Sequence, residues 1–75
     1  PEATIRAALD AKARSITTCI GGPGAIEARW TAAGAVTVSV RGEAANSPVQ
    51  GCVRSAVGSL RVSAPRAGQL LHAVE

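Results

Sequence analysis

Two sulfurs and one imidazole are the residues best equipped for chemistry in this chain. Cys19 and Cys52 stand thirty-three positions apart, and His72 is the only histidine. Together they fall one ligand short of a structural zinc site, which wants four, commonly with paired C-x-x-C spacing. A Cys–His nucleophile pair needs an accessible thiol, and the helical periodicity around Cys52 turns it toward the core, where a thiol is inert. His72 has no neighbour in the sequence to make it an acid or base, and it reads as a partly buried or surface strand residue. The carboxylates Glu2, Asp10, Glu27, Glu43 and Glu75 are scattered and read as solvated surface charge. No catalytic, cofactor-binding or metal-binding set is expected.

The same two cysteines make better sense as a cross-link. A chain of 75 residues is one small domain. At that size about 60% of the unfolded surface is buried, which leaves folding marginal without help. Apolar residues make up 47%, but many are alanine, and Trp30 is the one aromatic residue. A bridge from Cys19 to Cys52 would contribute roughly 3.5 kcal/mol by constraining the unfolded chain. It would also place folding outside a reducing cytosol. The alternative is two buried free thiols acting as small hydrophobes. The bridge is the expectation adopted.

The central helix is expected over NSPVQGCVRSAVGSL. Ser47 is placed to cap it, Pro48 to open it, and Gln50 to complete a capping box with Ser47. Val49, Cys52, Val53, Ala56, Val57 and Leu60 recur at helical spacing as one apolar stripe. A first helix is expected from Glu2 to Ile20, with Ile5, Leu9, Ile16 and Ile20 near one face. Ala8, Ala13 and Cys19 fill in beside them. Thr17 and Thr18 are mediocre helix formers, so its last turn is expected to fray. Gly21-Gly22-Pro23-Gly24 stops it. That G-x-x-G run ends a helix and precedes a strand, the wrong context for a phosphate loop or a nucleic-acid clamp.

Two strands alternate cleanly. Ile26, Ala28 and Trp30 point one way, with Glu27, Arg29 and Thr31 the other. Val36, Val38 and Val40 likewise alternate with Thr37, Ser39 and Arg41. Folding the hairpin at Ala33, with Gly34 free to take positive φ, pairs Trp30 with Val36, Ala28 with Val38 and Ile26 with Val40. It also sets Arg29 by Thr37, Glu27 by Ser39 and Arg41 diagonal to Glu27. Both faces agree on this one register. Gly42 to Ala45 is read as a loop, and Arg61 to Gly68 as extended and loop-like. Gln69 to Val74 is a third strand whose buried parity stays open between Leu70, His72, Val74 and Leu71, Ala73. The fold expected is α+β, a two-layer sandwich of order α-β-β-α-β. Both helices cover one face of a three-stranded antiparallel sheet of order 2-1-3. The third strand, Gln69, Leu70, Leu71, His72, Ala73 and Val74, is then an open edge able to accept another chain.

Net charge is +3, from seven arginines and one lysine spread along the chain without a run. With one aromatic residue, that argues against a nucleic-acid partner. No segment approaches the length of a membrane span. The chain opens on Pro1 without a methionine and reads as a fragment of a longer protein.

Several of these residues together resemble a family. A helix ending in Cys19, then IEARWTAAGAVTVSVRG, Ser47-Pro48, Gly51-Cys52-Val53 and LRVSAP resemble TonB C-terminal-like domains. The likeness is greatest to the two-cysteine myxobacterial gliding-motility and envelope type (AgmX/PglI-like). It covers Ile16 to Val74. The chain departs from that pattern at Ile20, where tyrosine is frequent, and at Val62-Ser63, where an aromatic residue and proline are favoured. The last strand also lacks the family's aromatic residues. The resemblance implies a periplasmic or envelope-facing, non-catalytic module that pairs its edge strand with a peptide of a protein partner. GAVTVSVRGEA is also loosely similar to BON domains, which implies an alternative, a lipid- or envelope-associated binding domain. An accessory sensor domain of a larger enzyme is a third reading.

Overall fold

The computed structural model describes residues 2–42 and 46–75. The elements are α1 (Glu2–Ala11), α2 (Ala13–Ile20), β1 (Gly24–Trp30), β2 (Ala35–Arg41), α3 (Ser47–Val57), β3 (Leu60–Arg61) and β4 (Gly68–Val74). Among the described residues the architecture is α+β, with three helices and a four-stranded antiparallel sheet of order β3-β2-β1-β4. The expected loop between β2 and α3 lies largely outside the described residues, as does Glu43.

The hairpin folds in the anticipated register, Trp30 opposite Val36, Ala28 opposite Val38 and Ile26 opposite Val40. Gly34 sits at the turn with φ +94°, and Glu27 lies within 3.9 Å of its diagonal partner Arg41. The last strand, β4, crosses over to lie beside β1, antiparallel to it. This is the expected 2-1-3 arrangement, with β1 as an inner strand. Its parity is now settled: Leu70 and Val74 are buried, while Leu71 is 57% exposed.

One correction concerns the strand count. The sheet has four strands, not three, because Leu60 and Arg61 pair with Val36 and Ala35. Leu60 therefore leaves the helical stripe to which its spacing assigned it. Gly58, with φ +72°, ends α3 first, its N–H bonding the Arg54 carbonyl.

A second correction concerns the first helix, which is two. Lys12 leaves helical geometry, and its N–H reaches back three residues to the Leu9 carbonyl at 3.1 Å rather than four. No glycine or proline forces this break. It falls where the packing partner changes: α1 lies along β4, while α2 lies against α3. Helix α2 nonetheless runs to Ile20, with the Thr17 and Thr18 hydroxyls bonding the Arg14 carbonyl. Gly21, at φ 89°, closes α2. The N–H groups of Gly21 and Gly22 both reach the Thr17 carbonyl.

The core lies between the helices and one face of the sheet. Ile5, Leu9, Ile16, Val53 and Val57 from the helices meet Ile26, Ala28, Trp30, Val38, Val40, Leu70 and Val74 from the strands. At about 25 cal/mol per Å² of apolar surface, such a cluster drives folding. On the opposite face Arg29, Thr37 and Arg41 are exposed, with Ser39 half-buried and Glu27 only 13% exposed among its neighbours. Glu27 there accepts from Arg29 Nε at 3.1 Å.

Candidate functional site

The cap of α3 corrects the motif reading and explains a sheet edge. Asn46, not Ser47, is the N-cap: its side chain accepts from the Val49 N–H at 3.0 Å. Gln50 does not close a capping box. Its Oε1 accepts from the Val40 N–H at 2.7 Å, and its Nε2 donates to the Val40 carbonyl at 2.9 Å. The Val40 backbone therefore faces away from β1, toward the outer side of β2. Backbone groups alternate along a strand, so Val38 and Val36 face that side too. There Arg54 Nε donates to the Val38 carbonyl at 3.5 Å, and Val36 pairs with Leu60. The outer side of β2 is covered by α3 side chains and by β3, itself only two residues long.

The same alternation fixes the opposite edge. In β1, the backbone groups of Ala25, Glu27 and Arg29 serve β2, so those of Ile26, Ala28 and Trp30 serve β4. Their partners are His72, Leu70 and Gly68. The N–H and C=O groups of Gln69, Leu71 and Ala73 consequently point outward. Of the expected edge residues Gln69 to Val74, it is these three that present ladder groups, while Leu70, His72 and Val74 turn theirs to β1. One outward group is occupied: Arg6 Nη1 donates to the Leu71 carbonyl at 2.9 Å.

Side chains of α1 line this edge. Arg6 Nη1 also lies 3.2 Å from His72 Nδ1, and His72 Nε2 lies 2.7 Å from Asp10 Oδ1. His72 is thus partly buried, as expected, but between two partners sixty residues away that no sequence motif announces. At the start of β4, an open cleft of about 400 Å³ is lined by Glu2, Ala3, Trp30, Pro65, Arg66 and Ala67. Trp30 packs its indole over Gly68, where a Cβ would collide with the ring.

Cys19 and Cys52 form a disulfide, with Cα atoms 5.7 Å apart. The bond ties α2 to α3 on the helical face of the sheet. It lies nearer the surface than the periodicity implied, since Cys19 is half-buried and Cys52 exposed. The stripe of α3 that faces the core is narrower, centred on Val53 and Val57. A disulfide belongs to an oxidising compartment outside the cytosol.

The chain matches no family model, no curated protein and no solved structure. Among the described residues, no three of His, Cys, Asp and Glu cluster to hold a metal ion. Neither Cys52 nor Cys19 is a free thiol, so the Cys–His pairing considered for the sequence has no nucleophile to use. Among the described residues no helix is long and apolar enough to cross a membrane.

Proposed function

We propose that the domain is a non-catalytic interaction module of the periplasm or cell envelope. It takes an extended segment of a protein partner onto the free edge of β4. The observation that carries this reading is the contrast between the two sides of the sheet. The outer side of β2 is largely occupied by Gln50, Arg54 and β3, whereas β4 offers the backbone groups of Gln69 and Ala73 and the Leu71 N–H, with only the Leu71 carbonyl engaged, by the exposed Arg6. An added strand finds its affinity in such main-chain groups and its specificity in flanking pockets. The cleft beside Trp30 lies at one end of the edge. The disulfide supports the extracytoplasmic setting. The resemblance to TonB C-terminal-like domains supports the mode, since TonB relatives pair an edge strand with a peptide from an outer-membrane partner.

Titration of the ¹⁵N-labelled domain with a synthetic peptide of alternating valine and threonine tests the mode. The amides of Gln69, Leu71 and Ala73 are expected to shift and gain protection from solvent exchange, with those of β2 unmoved. Perturbation confined to the helices or to β2 would overturn the assignment.

A further inference from the structure

We infer that Arg6 is a plug on the open edge of β4, seated while His72 is neutral and released when His72 takes up a proton. The gate is a property of the isolated domain. Its effect on partner binding rests on the strand-addition reading above.

Arg6 and Asp10 lie one turn apart on α1 and therefore on the same helix face. Between them the His72 side chain, 12% exposed, is clasped at both ring nitrogens. A guanidinium has donors only, so Nδ1 must offer Arg6 a lone pair. The neutral ring then carries its hydrogen on Nε2 and donates it to Asp10 Oδ1. In that state both ring nitrogens are paired, and Nη1 of Arg6 bridges Nδ1 and the Leu71 carbonyl.

A second proton on the ring goes to Nδ1, aimed at Nη1. Donor then faces donor and cation faces cation. One side chain must yield. His72 is held in a strand, mostly out of water, and its charged ring gains an ion pair with Asp10 at 2.7 Å. Arg6 is an exposed residue on a flexible stem, so it is the one that leaves. The other surroundings of the ring do not compete. Its cross-strand neighbour is the apolar Ile26. Glu27 and Arg29 of β1 pair with each other on the opposite face. Lys12, Arg14 of α2 and Glu75 beyond β4 are exposed and make no hydrogen bond or ion pair to the ring. Departure of Arg6 frees the acceptor at the centre of the edge, so acidification opens β4 and alkalinisation closes it.

Long-range ¹H–¹⁵N and carbonyl ¹³C NMR of the wild-type domain and of Arg6→Ala, across a pH titration, test the gate. Arg6 is exposed, so the variant is expected to fold. In the wild type the neutral ring should carry its proton on Nε2. The Leu71 carbonyl signal should move, in step with His72 protonation, toward its position in Arg6→Ala, and by more than the residual step that the adjoining ring produces in that variant. A neutral ring protonated on Nδ1, or a Leu71 carbonyl step of the same size in the wild type and in Arg6→Ala, would overturn the inference. No partner is added, so this result and the peptide titration can fail independently.

Discussion

Gly34 meets two demands that no other residue type meets at its position. Its φ of +94° is left-handed, and a Cβ there would strike the Val62 carbonyl oxygen. The Val62 N–H in turn donates to the Gly34 carbonyl at 2.9 Å. Gly34→Ala is therefore expected to destabilise the domain by about 1–3 kcal/mol, since backbone strain and displacement of the following segment both act. Urea denaturation would show this as a lower midpoint at unchanged slope. The first demand was legible in the sequence, because a hairpin turn calls for positive φ. The second was not, because Val62 is distant in the chain. Caps show the same divide. Asn46 and Ser47 are both good cap residues, and local chemistry does not choose between them. Gln50 has the spacing of a capping-box partner, but the unpaired Val40 backbone is a stronger claimant than a cap N–H already open to water.

At the scale of elements, the hairpin register was readable because polar and apolar faces imposed it independently. The parity of β4 was not, since Gln69-Leu70-Leu71-His72-Ala73-Val74 is apolar on both alternations. Packing beneath the first two helices buries Leu70 and Val74 and so settles which alternation turns in. The pair Leu60–Arg61 is too short to carry a period, and the break at Lys12 follows from packing rather than from a breaker residue. Of the candidate site, the open edge itself was legible in the order of elements. The Arg6–His72–Asp10 cluster was not, because it joins α1 to β4 through side chains alone. Gln50 holds α3 to β2 through two hydrogen bonds. Gln50→Leu leaves the Val40 N–H and C=O unpaired in a half-buried setting and is expected to cost about 1–3 kcal/mol. Amide hydrogen exchange should show the loss concentrated at Val40.

For the whole molecule, the cross-link spans thirty-three positions and joins the two helices whose contact closes the core over the sheet. Replacing both cysteines, Cys19→Ala with Cys52→Ala, is expected to reduce stability by about 3.5 kcal/mol. That is a large fraction of what a domain this small possesses. Calorimetry of the double variant and of the reduced wild type should give matching losses. A much smaller loss in both would show that burial alone sustains the fold.

The closed flank along β2 has a consequence for self-assembly. A sheet that can be extended on both sides behaves as a bifunctional monomer and can propagate into fibres. Here Gln50, Arg54 and the two-residue β3 obstruct one side, so the chain approaches what a polymer chemist calls a monofunctional unit. Two copies that pair β4 against β4 use up the freer side of each, and what faces outward on the resulting pair is the flank that Gln50, Arg54 and β3 obstruct.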